Sequence, residues 1–501
     1  MTESRQPGFQ ILAVALAFGL LGDSVLRAFP WGLGAALLVV ALIAAVASLQ
    51  GRLHTRVGPA RVIYTVVAVV LAAGLVWRDA AVLKVLDVLA LIATLGLLAS
   101  ERDDSDQRLS LGALAVRVCG TGAHTWFGAP LLVVHDVEWS AVRSPWLLGG
   151  ALGAARGLVL ALPVVLVFTA LLAQADPVFA FRLGELVDVD VLSLIGHLSL
   201  TLVYGWLAAG YLRAAVLRDR PAQRFLARPA GVALGRIEIV VLLGSLDLLF
   251  SAFVWIQLRY LFGGTLWVQQ VAGLTYSEYA RRGFFELVTV VALVLPLLLA
   301  AHWLFEPKSR SETRTFGVLA GFQVVLVLVM LASALERMRL YRAEYGLTQQ
   351  RFYSTAFMAW LGVLLVWFLV TVPRGKRDAF AAGVLVSGFA TLVLLHVVDP
   401  EDTIVRANAS LPRVFDVKYA LTLGADAAPA LLEAVPRLDP ERRAALARGL
   451  LARWSSATEG DWRTFSVSRA RAHRAVGDVA GDLELMAGGG GAAPAQGQVT
   501  P

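Results

Sequence analysis

The chain of 501 residues is 58% hydrophobic and only 16% charged, too little charge to cover a soluble protein of that length. Its net charge of +7 comes from 44 Lys+Arg against 37 Asp+Glu. The basic residues sit in short loops and form no stripe with interleaved aromatics, which excludes nucleic acid as a partner. A single cysteine, Cys119, excludes an internal disulfide and a thiolate metal site.

Runs long enough to cross ~30 Å of hydrocarbon as helices recur along the chain. They fall at 9–28, 31–49, 61–77, 80–99, 154–174, 192–213, 237–262, 284–304, 316–336, 353–372 and 379–398, about eleven spans in all. A lone strand cannot satisfy its backbone in lipid, and the Leu/Ala/Val runs lack the alternation of a barrel. The fold class is therefore all-α, a polytopic transmembrane helical bundle whose first partner is the lipid bilayer. The first run reads as a retained span, because Gly22-Asp23-Ser24-Val25-Leu26-Arg27 follows it instead of a small-residue cleavage site. Residues 111–135 are largely apolar but carry Arg117, His124 and Pro130. An interfacial helix, a re-entrant segment and an extra span all remain open there.

Basic residues mark four loops: Arg52, Arg56 and Arg61; Arg213 through Arg236; Lys308, Arg310 and Arg314; and Arg374, Lys376 and Arg377. Alternating spans put these loops on one side. The acidic loop with Asp176, Glu185, Asp188 and Asp190 then falls on the other. The positive-inside rule predicts a cytoplasmic N-terminus and an extracytoplasmic C-terminal region. Asp399-Pro400 ends the last span, since proline removes a helix donor and restricts the residue before it. Short amphipathic helices are expected beyond it, near 401–411, 416–423, 426–435, 439–455 and 461–478. The domain map is a four-helix membrane segment at 1–100, a cytoplasmic or interfacial connector at 101–153, a seven-span membrane core at 154–398, an extracytoplasmic helical region at 399–486, and a disordered Gly/Ala/Pro/Gln tail at 487–501.

Two hairpins echo each other. Leu258-Arg259-Tyr260 leads through a loop to Gly273-Leu274-Thr275, and Arg339-Leu340-Tyr341 leads to Gly346-Leu347-Thr348. A parallel repeat and chance likeness between Leu-rich hairpins both fit. Around these hairpins the outer ends of four spans carry a polar crown: Arg259, Tyr260, Glu278, Tyr279, Arg281, Arg282, Glu286, Glu336, Arg337, Arg339, Tyr341, Glu344, Tyr345, Arg351 and Tyr353. So many arginines on the outer face need compensation. Either they bind an anionic ligand such as a lipid headgroup, which suits arginine's planar fork, or they pair internally with the glutamates. Deeper in the bilayer, Asp247 is costly unless paired or facing a cavity; it is the candidate intramembrane relay, with His197 and Gln323 as potential partners. Asp23 with Arg27, and Lys84 with Asp87, share helix faces and are expected to neutralise each other.

The segments Gln257 to Gly264, Gly273 to Leu287, Arg337 to Tyr353, Ala175-Asp176-Pro177-Val178-Phe179, and Asp399-Pro400 with Val405, Arg406 and Asn408 together resemble a bacterial membrane-protein family. That family is catalogued as domain of unknown function 4173 and is related to family 4153. The likeness covers roughly residues 150–420, or as an open alternative most of the chain, and implies a bacterial inner-membrane location, without supplying an activity.

No H-E-x-x-H, P-loop, dinucleotide fingerprint or G-x-S-x-G elbow is present, so no metal, cofactor or catalytic residue is expected. Two main readings follow: a transporter or translocator of an anionic or lipid-linked solute, and a non-enzymatic envelope sensor or scaffold that docks a membrane or envelope protein through its C-terminal region. A membrane enzyme using Glu278 or Glu344 as acid/base is the third.

Overall fold

The computed structural model describes residues 7–52, 58–101, 110–137, 171–186, 191–217, 234–262, 284–411, 415–455 and 460–488, with single positions between 157 and 169. The membrane part comprises α1 (Pro7–Leu26), α2 (Leu33–Arg52), α3 (Pro59–Trp77), α4 (Ala81–Ser100), α5 (Leu111–Leu131), α6 (Pro177–Leu186), α7 (Val191–Leu217), α8 (Arg236–Phe262), α9 (Phe284–Leu304), α10 (Arg310–Tyr345), α11 (Gln349–Thr371) and α12 (Arg377–Val398). Ten helices among the described residues, α1–α4 and α7–α12, are long and apolar enough to cross a membrane. Each coincides with an expected span, and the remaining one, 154–174, lies largely outside the described residues. The chain is an all-α, multi-pass integral membrane protein.

Large side chains such as Leu16, Val62, Leu89, Leu248, Trp255 and Val386 are exposed along the spans. In water such a surface would be unstable, but lipid is its natural solvent. Inside, one core joins α8–α12 through Leu243, Val291, Val327, Leu365 and Phe380. A second joins α1, α2, α5 and α7, and a third joins α2–α4 to α12 through Leu71, Leu83 and Leu392.

The segment 111–135 resolves into α5, continued by a π turn over Leu132–Asp136. It lies across one end of the bundle. Arg117 near its start donates to Ser100 at 3.0 Å and pairs with Glu101, while Asp136 at its other end meets Arg213 at 2.5 Å. Glu101 follows the last residue of α4, and Arg213 is one turn from the end of α7. Both contacts therefore lie at the end that carries the basic loops. The crossing with α7 is tight, because a Cβ on Gly210 would stand 2.1 Å from the Thr125 carbonyl oxygen. Small residues permit such backbone approach.

The 36-residue α10 is the longest helix among the described residues. At 1.5 Å per residue it runs about 54 Å, well beyond the hydrocarbon thickness. A capping box starts it: Ser309 accepts from Glu312 N at 3.2 Å and Glu312 accepts from Lys308 N at 2.6 Å. Gly346, at φ 71, ends it.

Beyond Asp399 the chain forms α13 (Pro400–Ala409), α14 (Val417–Ala420), α15 (Ala428–Ala434), α16 (Pro440–Trp454), α17 (Val467–Asp478) and α18 (Ala480–Gly488). They enclose their own core of Ile404, Leu431, Leu446, Leu450 and Val476. This C-terminal domain sits on the end of the bundle opposite the basic loops. It holds the α1–α2 turn through Leu33 N to Phe465 O at 2.9 Å. It holds the α10–α11 turn through Asn408, whose amide accepts from Leu347 N at 2.6 Å and donates to Leu347 O at 2.8 Å.

Candidate functional site

The densest polar construction among the described residues lies where the C-terminal domain meets the α3–α4 turn and the end of α12. Arg78, 6% exposed, is its hub. Its Nε donates to the His396 carbonyl at 2.9 Å. One terminal nitrogen reaches the Asp399 carboxylate and lies 3.3 Å from Asp426. Asp426 in turn accepts from the backbone of Asp79 at 2.7 Å and Ala80 at 2.8 Å, at the start of α4 where helix N–H groups favour an anion. Ser468 donates to the same carboxylate. Asp79 is clamped by Lys84 at 2.7 Å and Arg469 at 3.0 Å.

Local sequence explains why these groups point inward. Asp399 adopts φ 55, a conformation aspartate tolerates better than most residues. This turns the chain out of α12, and Pro400 opens α13. One Asp399 oxygen caps Asp402 N at 3.2 Å while the other faces Arg78.

Three cations, Arg78, Lys84 and Arg469, face four carboxylates, Asp79, Asp399, Glu401 and Asp426. Glu401, 1% exposed, has no ion-pair partner among the described residues. It accepts from Gln349 at 2.8 Å and from Gly424 N at 2.7 Å. Burial, with the nearby Asp426 charge, pushes its carboxyl up to about 8.

Directly beneath, inside the membrane part, Asp87 of α4 and His396 of α12 meet at 3.1 Å. Gly74 of α3 closes over them, since a Cβ there would stand 2.8 Å from His396 Nε2. The second Asp87 oxygen and the Tyr353 hydroxyl are both buried without a hydrogen-bond partner.

A second polar position lies deep in the α8–α10 interface. Leu234, just before α8, exchanges backbone bonds with Leu304 and Glu306, so α8 and α10 start at the same end. Gln257 donates to Ser333 at 2.6 Å further along. Asp247 and Gln323 each lie about 15 Å before that contact on their own helices, which places them at one level. Asp247 is 5% and Gln323 0% exposed, and neither oxygen of Asp247 nor either amide atom of Gln323 has a hydrogen-bond partner.

The sequence-derived candidates are distributed as follows. His197 bonds Asp23 at 2.5 Å, where Asp23 also meets Arg27 at 3.0 Å; the structure brings His197 to Asp23, away from Asp247. Glu336 and Arg339 pair at 2.6 Å on the exposed extension of α10, which also bears Arg337, Tyr341, Glu344 and Tyr345. Arg351 stacks on the Tyr341 ring at 4.2 Å and donates to the carbonyls of Tyr345 at 2.9 Å and Gly346 at 2.6 Å, capping α10. Tyr353 faces inward near the buried network, and Glu286 is exposed near the start of α9. Arg259 and Tyr260 lie in the last turn of α8, while Glu278, Tyr279, Arg281 and Arg282 lie outside the described residues.

Sequence reasoning missed Arg78, Asp79, His396, Glu401, Asp426 and Arg469 as a group, and it assigned Lys84 to Asp87. In the structure Lys84 turns to Asp79 and Asp87 to His396. The available signal was that ionisable residues within spans seek partners on other helices.

A family model described as a domain of unknown function, DUF4153, matches residues 65–434. The chain belongs to that family. The label 4173 gives way to its relative, DUF4153, and the match covers most of the chain, the wider of the two expected extents. The DUF4153 region runs from α3 to the end of α15, so it contains the whole buried network except Ser468 and Arg469. No match to the chain was found among curated proteins or solved structures.

Proposed function

We propose that this DUF4153 protein is a proton-coupled transporter or translocator of an anionic or lipid-linked solute in a bacterial cytoplasmic membrane. Asp247 carries the reading. A carboxylate held in a lipid-embedded core with both oxygens unpartnered, at the level of an equally unpartnered Gln323 on α10, is unfavourable unless it binds a proton or a ligand during function. The basic loops and the opposite placement of the C-terminal domain support a cytoplasmic N-terminus and an extracytoplasmic C-terminal domain. The Arg/Tyr extension of α10 then faces the side from which an anionic headgroup would arrive. The test is proteoliposomes with a trapped pH-sensitive dye, challenged in turn with inorganic phosphate, a short-chain phosphatidylglycerol and a soluble dicarboxylate. Solute-dependent acidification that disappears in Asp247→Asn supports transport. Acidification unchanged by Asp247→Asn, or absent with every solute, contradicts it.

The sensor reading draws on a different observation: the C-terminal domain grips the α1–α2, α3–α4 and α10–α11 turns together with the end of α12. A domain so attached would register relative movement of those spans. Retention of an envelope protein by the full chain, lost when residues 399–501 are removed, would favour it.

A further inference from the structure

His396 lies on α12 with its Nδ1 2.9 Å from the Leu392 carbonyl oxygen. A carbonyl oxygen only accepts, so Nδ1 carries a hydrogen. A neutral imidazole has no second one, and Nε2 would then present a bare lone pair to Asp87 Oδ2 at 3.1 Å. Two acceptors at that separation repel, and a water-excluded site does little to screen them. The contact therefore needs one further proton, on Nε2 or on the carboxyl. The count is the same in either position.

The pair is sealed from water. Asp87 is 0% and His396 5% exposed, and Gly74 packs directly against both. The charged groups acting on the pair are Lys84 on its own helix and Arg78 in the preceding turn; Asp399, Glu401 and Asp426 act on the neighbouring Tyr353. The Tyr353 hydroxyl of α11 lies within electrostatic reach of all four carboxylates, Asp87 included. No group of three or more His, Cys, Asp or Glu able to hold a metal ion occurs among the described residues, so the chemistry of the pair suits a proton.

We propose that Asp87 and His396 form a binding site for a single proton, and that this proton holds the C-terminal domain on the ends of the spans. The mechanical link is Arg78, which grips the backbone oxygen of His396 and the carboxylates of Asp399 and Asp426 together. When the proton leaves, repulsion between Nε2 and Oδ2 pushes α12 away from α4, and with it the His396 carbonyl that Arg78 holds from the α3–α4 turn. Docking is therefore firm in the protonated state and loosens as pH rises. This inference does not depend on Asp247 or on transport.

The experiment uses the full-length protein in nanodiscs, in a Glu401→Gln background that removes the neighbouring carboxyl's own titration. Amide hydrogen exchange of α15–α17 is followed against pH, each rate being corrected for the intrinsic pH dependence of exchange. Asp87→Asn is the informative variant, because its amide can donate to the bare Nε2 without a titrating proton. The parent should lose at least tenfold protection as pH rises, and Asp87→Asn should keep a flat profile. Equal profiles in the two proteins would overturn the proposal. A second measurement needs no variant to fold: 15N spectra of labelled histidine, with infrared spectra of the carboxyl region. At neutral pH they should show either both His396 nitrogens protonated or a protonated carboxylic acid. A neutral His396 beside an ionised Asp87 would also overturn it.

Discussion

His396 Nε2 lies 3.1 Å from Asp87 Oδ2, although 309 residues separate the two in sequence. Gly74 makes the approach possible. Gly74→Ala would place a methyl group 2.8 Å from Nε2, overpacking that costs about 1–3 kcal/mol. Thermal unfolding in detergent should show a lowered midpoint. Gly51→Ala, where a Cβ meets nothing within 4 Å, should leave it unchanged. Equal midpoints for both variants would contradict the close approach of α3 to the pair.

Arg78→Ala leaves Asp399 and Asp426 facing each other without their shared cation. Breaking a buried pair from one side costs about 3–5 kcal/mol. The C-terminal domain should become sensitive to proteolysis near 399–415 under conditions where the parent resists. Arg78→Lys should not restore resistance, because an ammonium cannot reproduce the planar fork that serves His396 O and two carboxylates at once.

The Glu401 carboxyl is pushed from its ordinary 4.5 up to about 8. A carboxyl raised on folding stabilises the docked state fully below about 4.5, and that contribution is lost as pH climbs toward 8. Protection of the C-terminal domain should therefore fall between those values. Glu401→Gln removes this titration but leaves one acceptor oxygen for the two donors, Gln349 and Gly424; it should reduce that fall, and what remains belongs to the Asp87–His396 proton. A steeper fall in the variant would contradict the assignment.

The fold was legible because lipid demands long apolar runs, and those survive any tertiary arrangement. Asp399-Pro400 likewise announced the exit from α12. The buried network was not legible in the same way. Rules for residues three or four apart on one helix found Asp23 with Arg27, which the structure pairs, but they also joined Lys84 to Asp87. Two groups decide otherwise: Asp79, just before α4, draws Lys84, while His396, brought in by α12, draws Asp87. Such cross-helix partners leave no spacing signature. The crown was visible as composition, but composition could not show that Arg351 is spent on the carbonyls ending α10. Nor could it show that α10 is longer than one span needs and carries its polar end on an exposed extension.

Topology offers a separate check. With the exposed native thiol of Cys119 replaced by alanine, Gly460→Cys should react with an impermeant maleimide on intact cells. Lys308→Cys should react only after permeabilisation. The reverse pattern would invert the orientation.

Transport by this protein stands or falls with Asp247. The most direct measurement is a pH jump on protein adsorbed to a solid-supported membrane, recording the transient displacement current. A current is expected in the parent, abolished by Asp247→Asn and retained in Glu336→Gln, since Glu336 is paired on the exposed end of α10. A current of equal size in Asp247→Asn, or none in the parent, would contradict it.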